Sequence, residues 1–211
     1  MLRILFRNER TDAARPAIFI DRDGVINRRR AGNYVLSWEQ FEFLPGIRQS
    51  LRRLAEFRLP MIVISNQAAV GKGLLDPASL SEITERMQNA LLEDGTAIAA
   101  VYYCTHRSDE KCICRKPRPG LLYKAAVDYN IDLRFSIFIG DSQTDVQAAR
   151  AAGCRPVLLG SGVSNGSITE DWVKEVPVAL TPTQLFEVAT QRLSNPGCPP
   201  PIVTAPSRLE N

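Results

Sequence analysis

Histidine is nearly absent from this sequence: its 211 residues include a single one, His106. This scarcity excludes any mechanism that uses several histidines, or that needs a histidine base in addition to a metal-bound histidine. Acid–base catalysis and nucleophilic attack then fall to carboxylates, and aspartate is a competent nucleophile toward phosphorus. The sequence therefore favours carboxylate chemistry.

Long apolar runs and a large excess of one charge are also missing. No segment approaches the roughly 20 apolar residues that a membrane span needs. The start of the chain, MLRILFRNERTDAARP, has no apolar stretch long enough for a signal peptide. A net charge of +3 is too small to indicate nucleic acid binding by itself, although it suits small anionic ligands. We expect a soluble, cytoplasmic protein without a membrane partner, and a monomer in preference to an oligomer.

Cysteine is scarce but clustered. Three of the five cysteines fall within eleven residues, which is unlike a secreted disulfide framework and in a reducing cytosol points to metal. Cys104-x-His106 and Cys112-x-Cys114 together supply four ligands, the composition of a closed tetrahedral zinc site with a structural role. The alternative is a set of free structural thiols.

Two cations follow the last of these cysteines. Cys114 directly precedes Arg115 and Lys116, so zinc binding would fix the loop that aims both side chains. They stand just before a predicted helix, where they would neutralise a bound phosphate dianion. A lysine on a loop is more often solvated surface, but Pro117 and Pro119 stiffen this one.

Short apolar runs alternate with helical patterns along the chain. Runs rich in Ile, Val and Phe predict strands buried on both faces at residues 17–21, 61–65, 97–104, 136–141 and 155–160. Helical spacing predicts helices at residues 45–57, 77–94, 119–130 and 142–153, the last closed by Gly153. This alternation predicts an α/β fold with a parallel sheet and right-handed crossovers.

One domain accounts for most of the chain. We assign residues 16–193 to it and residues 1–15 to an N-terminal extension. Residues 194–211 are rich in Pro and Ser and lack periodicity, so we expect a disordered tail there.

Polar side chains stand at the ends of three predicted strands. Open parallel sheets bind ligands beyond the carboxyl ends of their strands, and such ends carry Asp21, Asp23, Ser65, Asn66, Asp141 and Asp145. Each acid taken singly is more simply a turn former or a helix N-cap. Three strand ends that deliver polar groups to one edge instead favour a site. A carboxylate cluster needs a shared cation, and ligands that are all oxygen suit Mg²⁺, with phosphate as its partner.

Four segments resemble, in order, the four motifs of the haloacid dehalogenase superfamily: DRDGVIN (21–27), ISNQ (64–67), RKPRPG (115–120) and GDSQTD (140–145). Within it the sequence is similar to the heptose bisphosphate phosphatases and the histidinol-phosphate phosphatases, two groups that share the zinc loop. The resemblance implies a Rossmann-like, doubly wound sheet. It also implies Mg²⁺-dependent hydrolysis of a phosphomonoester through an aspartyl-phosphate.

The resemblance further implies a role for each acid that matches a motif. Asp21 would be the nucleophile, and Asp23 the acid that protonates the leaving alcohol and then the base that activates water. We expect the charge of Asp21 to raise the pKa of Asp23. Asp141 would bind Mg²⁺ with Asp21 and the backbone carbonyl of Asp23, while Asp145 would orient the metal site or Lys116.

The same motifs imply the contacts to substrate. Ser65 and Asn66 would hold phosphate oxygens, and Lys116 would offset the charge of the crowded site. Because successive side chains of an extended chain alternate, Arg115 would face the opposite way from Lys116, toward the rest of the substrate.

Short spacing leaves no room for a cap domain. Only 43 residues separate Asp21 from Ser65 and 50 separate Ser65 from Lys116, and both intervals are largely used by predicted helices and strands. Loops must then select the substrate, and the candidates are residues 28–38 and the zinc loop.

Details of these loops bear on the substrate. Arg28, Arg29 and Arg30 either contact a second phosphate or form a solvated basic turn. The heptose phosphatases usually carry a lysine after the GD of the fourth motif, where this sequence has Ser142. The five-residue gap in the zinc loop resembles the histidinol-phosphate group, whereas RKPRPGLL resembles the heptose group.

The preferred hypothesis is removal of the C7 phosphate of D-glycero-D-manno-heptose 1,7-bisphosphate, a precursor of ADP-heptose and the lipopolysaccharide core. Histidinol phosphate is the second candidate substrate. Hypotheses of another class are a zinc-containing nucleic acid binding module and a nucleic acid 3′-phosphatase. A binding module would interleave aromatic and basic residues, and only Tyr34 and Trp38 lie near the three arginines, which disfavours nucleic acid.

Overall fold

The computed structural model of the protein describes residues 1–6, 13–30, 34–160, 173 and 175–194. Within these residues, seven strands form one sheet: β1 (Leu2–Leu5), β2 (Ile18–Ile20), β3 (Met61–Asn66), β4 (Ala100–Cys104), β5 (Ile137–Gly140), β6 (Arg155–Leu159) and β7 (Val178–Ala179). The same residues contain six α-helices: α1 (Ile47–Ala55), α2 (Ala68–Gly71), α3 (Pro77–Glu93), α4 (Gly120–Tyr129), α5 (Gln143–Ala152) and α6 (Pro182–Ser194).

The sheet confirms the predicted α/β architecture. The strand order is β1-β4-β3-β2-β5-β6-β7, and every neighbouring pair from β4 to β7 is parallel. The five predicted strands are short apolar runs that are buried on both faces. In β2, Ile18 and Ile20 belong to the core on one face and Phe19 to the core on the other, as the two-residue repeat of a strand requires.

Helices cover both faces of the sheet. The apolar sides of α1, α3 and α6 pack on one face, and those of α4 and α5 pack on the other. Helix α3 buries the stripe that its spacing predicts, formed by Leu80, Ile83, Met87 and Leu91. Helix α5 ends, as predicted, at Gly153, whose φ of 78° lies in the left-handed region.

The edges of the sheet differ from the prediction. The sequence places residues 1–15 in an extension, yet β1 pairs antiparallel with β4, so the sheet is mixed at this edge. Arg3 holds the strand to α4, with Nη1 2.7 Å from Asp128 Oδ2. Strand β7 and helix α6 were not predicted either, although Leu185 and Ala189 of α6 are buried. Strand β1 has only four residues, alternately half-buried and exposed, so its two-residue repeat is too brief to recognise in the sequence.

The described chain builds no cap domain between the motifs. Strands β2 and β3 are joined by α1 and a single-turn 3-10 helix, and β3 and β4 by α2 and α3. In the described residues, no helix combines the length and apolar character needed to cross a membrane. Residues 195–211 of the predicted tail lie outside the described residues.

Strand β2 lies where the strand order reverses. From β2 the chain proceeds outward through β3 and β4 on one side, then returns to β5 on the other. In an open α/β sheet a crevice forms at such a switch point, beyond the carboxyl ends of the strands. Asp21 directly follows β2, Asp141 directly follows β5, and Ser65 and Asn66 end β3. The topology therefore delivers the predicted residues to one place.

Candidate active site

A cleft of about 760 Å³ lies at these strand ends. Seven residues that the sequence predicted line it together: Asp21, Asp23, Ser65, Asn66, Arg115, Lys116 and Asp145. The loop that follows β2 adds Arg29, Arg30 and Tyr34 to its wall. Polar groups that are up to 124 positions apart in the sequence thus face one cavity.

Asp21 is buried at the bottom of this cleft, with 4% of its surface exposed. One carboxylate oxygen, Oδ1, lies 2.8 Å from Lys116 Nζ and accepts a hydrogen bond of 2.8 Å from the Arg22 backbone N–H. Burial raises the pKa of Asp21 to about 6, against the opposing charge of Lys116. Two donors to one oxygen fix the orientation of the carboxylate.

Lys116 links the acids of the site. Its Nζ lies 2.8 Å from Asp21 Oδ1 and 2.6 Å from Asp145 Oδ1, and it donates to the Ile64 carbonyl at 3.1 Å. Burial would lower the pKa of Lys116, but Asp145 and Asp21 raise it above its usual value, so the ammonium stays charged. Asp145 therefore orients Lys116, one of its two predicted roles.

Asn66 and Ser65 contact protein groups. The Asn66 side chain accepts from the Lys116 backbone N–H at 3.1 Å and donates to the Lys116 carbonyl at 3.2 Å. Ser65 Oγ accepts from Gln67 Nε2 at 3.1 Å. Asn66 thus clamps the backbone that carries Lys116, a contact that the sequence did not predict.

Asp23 differs from the expectation drawn from its neighbour Asp21. Arg22 is fully buried, and its Nη2 lies 2.9 and 3.0 Å from the two carboxylate oxygens of Asp23. Asn27 Nδ2 and Gln67 Nε2 donate to the same carboxylate at 2.9 and 2.6 Å. Burial would raise the pKa of Asp23, but Arg22 and these two amides hold it below its usual range. The expected rise in the pKa of Asp23 is therefore wrong.

This arrangement of Arg22 and Asp23 is hard to predict from the sequence. Arg22 lies between two acids at the carboxyl end of a predicted strand, and an arginine at such a position is normally solvated. In the fold its guanidinium lies 5.7 Å from the centre of the Tyr103 ring on β4 and donates to Gln67 Oε1. The DRD spacing itself was the available signal, since an arginine flanked by two carboxylates has a partner on either side.

Asp141 and Asp145 complete an acidic cluster with Asp21, because oxygens of the three carboxylates lie within 4.8 Å of one another. Asp145 Oδ2 caps α5 by accepting from the Asp141 and Ser142 backbone N–H groups at 3.2 and 3.1 Å. Burial, with the charge of Asp21, raises the pKa of Asp141 to about 7. Such crowding of acids calls for a cation.

The donor set fits Mg²⁺. Arg29 Nη2 lies 2.5 Å from Asp141 Oδ1 and 3.3 Å from the Asp23 backbone oxygen, so a positive group already bridges two of the predicted ligands. Gly24 leaves room for the carboxylate, since a Cβ built there would lie 1.8 Å from Asp141 Oδ2. All the oxygens are hard ligands of the kind that Mg²⁺ prefers.

The predicted zinc ligands also come together. Cys104, Cys112 and Cys114 are free thiols with Sγ atoms 3.5 Å apart, and His106 Nδ1 lies 3.6 Å from Cys104 Sγ and 3.1 Å from Cys114 Sγ. Around a tetrahedral zinc with bonds of about 2.3 Å to sulfur, the edges measure about 3.8 Å. The four side chains are therefore close to the geometry that zinc requires.

The arginines near the cleft divide into two kinds. Arg28 pairs with Glu42 on the exposed surface, with Nε 2.6 Å from Oε1. Arg29 and Arg30 line the cleft, as does Arg115, whose Nη1 is buried without a hydrogen bond among the described residues. A buried donor without an acceptor favours a ligand at that position.

Several known proteins are similar to this chain in sequence. A family model described as HAD-hydrolase-like matches residues 113–187. The D-glycero-alpha-D-manno-heptose-1,7-bisphosphate 7-phosphatase of Mycobacterium tuberculosis (strain CDC 1551 / Oshkosh) is 38% identical over 159 residues, or 72% of this chain and 83% of that protein. The D-glycero-beta-D-manno-heptose-1,7-bisphosphate 7-phosphatase of Bordetella bronchiseptica (strain ATCC BAA-588 / NCTC 13252 / RB50) is 35% identical over 158 residues, or 75% and 88%.

A solved structure has the same fold. The crystal structure of D,D-heptose 1,7-bisphosphate phosphatase from B. bronchiseptica, complexed with magnesium and phosphate, matches with a TM-score of 0.74 and 34% identity. The match covers 83% of this chain and 98% of that one. With the four motifs assembled in one cleft, and with relatives of this identity over more than two thirds of each chain, this protein belongs to the haloacid dehalogenase-like hydrolases, in the family of the heptose-bisphosphate phosphatases.

Proposed function

We propose that the protein removes the C7 phosphate of D-glycero-D-manno-heptose 1,7-bisphosphate, with Asp21 as the nucleophile and Mg²⁺ as the cofactor. The observation that carries this proposal is the buried Asp21 carboxylate, held by Lys116 beside Asp141 and Asp145 at the switch point of the sheet. The relatives named for this reaction, one of them complexed with magnesium and phosphate, support it.

The first step transfers the phosphoryl group to the protein. A carboxylate oxygen of Asp21 bonds to phosphorus, the bond from phosphorus to the C7 oxygen breaks, and Asp23 protonates the departing oxygen. Arg22 favours the ionised form of Asp23, so general acid catalysis by this carboxyl requires the negative charge of the bound substrate to raise its pKa. Lys116 offsets the charge that accumulates on the phosphoryl oxygens.

The second step restores the nucleophile. Asp23, now ionised and paired with Arg22, takes a proton from water, whose oxygen bonds to phosphorus as the bond to Asp21 breaks. Inorganic phosphate leaves, and Asp21 returns to its carboxylate form. Bound Mg²⁺, held by Asp21, Asp141 and the Asp23 carbonyl, would lower the cost of bringing an anionic phosphate to an anionic nucleophile.

The substrate assignment draws on the cleft and on the relatives. Arg115 and Arg30 line the same cleft as Asp21, and we assign them to the second phosphate of a sugar bisphosphate. Histidinol phosphate has one phosphate and would leave this pair unused. The two relatives differ in the anomer that their names give, alpha or beta. The cytoplasmic location, the monomeric state and the domain boundaries stay predictions.

A panel of substrates tests the proposal. Phosphate release with Mg²⁺ should be fastest with one anomer of the heptose bisphosphate, and slower with histidinol phosphate, a 3′-phosphorylated oligonucleotide and an aryl phosphate. Faster turnover of histidinol phosphate would overturn the substrate assignment. Absence of any phosphate release by the Mg²⁺-loaded protein would overturn the reaction.

Arg115→Ala should weaken binding of the bisphosphate without slowing the chemistry. Loss of a charge-assisted hydrogen bond should raise KM about tenfold to hundredfold at nearly constant kcat. An aryl phosphate, which lacks the second phosphate, should keep its KM. Arg134→Ala is the charge-matched control, because Arg134 pairs with Asp132 on the surface. An equal loss of kcat with both substrates would place Arg115 in the catalytic centre instead.

Gly24→Ala should weaken Mg²⁺ binding. The added Cβ would collide with Asp141 Oδ2, and the φ of 96° adds backbone strain. We expect affinity for Mg²⁺, measured by calorimetry, to fall at least about tenfold, as when a metal ligand is disturbed. Gly95→Ala is the matched control, because Gly95 has a φ of 78° but no atom within 4 Å of its added Cβ. It should lose stability and keep Mg²⁺ affinity.

A further inference from the structure

Arg29 lies where a metal cation would neutralise Asp141. Its Nη2 contacts Asp141 Oδ1 at 2.5 Å and the Asp23 backbone oxygen at 3.3 Å. These are two of the three groups that the proposed function gives to Mg²⁺. A guanidinium at these distances and a cation bonded at about 2.0–2.1 Å to the same oxygens exclude each other.

The charges of the cluster favour an arginine beside Asp141. Asp21, Asp141 and Asp145 crowd together, and Lys116 pairs with Asp21 and Asp145. Three carboxylates and one ammonium leave two negative charges, and Arg29 offsets one of them at Asp141. Without Arg29, Asp141 would face its acidic neighbours with no paired cation among the described residues.

The two partners differ in their freedom to move. The Asp141 side chain is 4% exposed, whereas that of Arg29 is 53% exposed. The guanidinium can therefore leave for solvent without disturbing the core, while the carboxylate stays in place. We propose that Arg29 is an internal counter-ion that stabilises the metal-free site and that Mg²⁺ displaces. This inference rests on the Mg²⁺ site of the proposed function.

If Mg²⁺ displaces Arg29, then Arg29 weakens Mg²⁺ binding, whereas a residue that positions a metal ligand strengthens it. Mg²⁺ must break the Arg29–Asp141 pair before it binds, so removing Arg29 should tighten Mg²⁺ binding. A half-exposed pair is worth less than a buried one, which sets the expected gain at about threefold to tenfold in the dissociation constant. If Arg29 instead oriented Asp141 for the metal, its removal would weaken Mg²⁺ binding.

Calorimetric titration of MgCl₂ into the full chain tests the proposal at constant ionic strength. Wild type, Arg29→Gln and Arg28→Gln are compared. Arg28→Gln removes the same charge from the adjacent position, but Arg28 pairs with Glu42 outside the site. Arg29→Gln should bind Mg²⁺ about threefold to tenfold more tightly, and Arg28→Gln as wild type does.

Melting temperatures give a second readout. Without Mg²⁺, Arg29→Gln should melt below wild type, because Asp141 has lost its counter-ion. At saturating Mg²⁺ the two should melt at the same temperature, because residue 29 no longer contacts Asp141 in either protein. A difference that persists at saturating Mg²⁺ would contradict displacement.

The titration separates the possible failures. If wild type binds Mg²⁺ and Arg29→Gln binds it equally or more weakly, the inference fails and the proposed function stands. An equal gain in Mg²⁺ affinity for Arg28→Gln would show that any loss of positive charge from this loop has the effect. That result would also overturn the inference. If wild type binds no Mg²⁺, the proposed function fails and the inference fails with it.

Discussion

Asp21→Asn should abolish phosphate release while the protein stays folded. The amide is nearly isosteric with the carboxylate but cannot attack phosphorus, so we expect turnover to fall by at least about four orders of magnitude. Lys116 keeps Asp145 and the Ile64 carbonyl as partners, so no charge is left unpaired. Loss of one charge from the acidic cluster also relieves repulsion. Melting temperature and steady-state kinetics on the same preparation measure both effects.

Asp128→Asn is the matched control for this variant. Asp128 accepts hydrogen bonds from Arg3 and Tyr102 at the edge of the sheet, and it is not among the residues that line the cleft. Asp128→Asn should lower the stability of the protein and leave the turnover of folded protein unchanged. Rapid acid quench of wild type should trap phosphate on Asp21, whereas Asp21→Asn should trap none. More than trace turnover by Asp21→Asn would remove Asp21 from the role of nucleophile.

Cys112→Ser should cost both stability and rate, because binding of zinc and ordering of the loop are one event. We expect about one zinc per wild-type chain and nearly none in the variant. Loss of the metal should lower the free energy of unfolding by on the order of 2–4 kcal/mol, a large share of the 5–15 kcal/mol of a typical domain. Cys114 directly precedes Arg115 and Lys116, so kcat and KM should both suffer.

Cys154→Ala separates loss of zinc from loss of packing. Cys154 is fully buried and lies outside the zinc cluster. This variant should lose stability through the cavity it creates, yet keep its zinc and its KM. Metal analysis, thermal melts and kinetics on both variants distinguish loss of zinc from loss of packing. A wild-type chain that is folded and active without zinc would contradict the proposed zinc site.

Local patterns in the sequence were sufficient to predict the main elements and which polar residues gather in the cleft. A run such as IFI needs burial on both faces wherever it lies, and the spacing of Leu80, Ile83 and Met87 marks one face of a helix. Because parallel strands end at a common edge, Asp21 and Asp141 had to meet there. The clustering of the four predicted zinc ligands could be predicted for a similar reason, since they lie within eleven residues and loop closure brings them together.

Tertiary structure alone decided the partner of each charged group. The pKa of Asp23 lies below its usual range because Arg22 contacts its carboxylate. The Arg22 guanidinium also lies over Tyr103 of β4, the strand that pairs with β3. Likewise, only the fold brings Arg29 to Asp141. The pairing of β1 with β4 at the sheet edge is also decided by the tertiary structure. Electrostatic energies change with distance and burial over a few ångströms, and these are set by contacts between distant segments of the chain. A sequence pattern states which groups are charged, but the sign of a pKa shift depends on which cation the fold brings nearest.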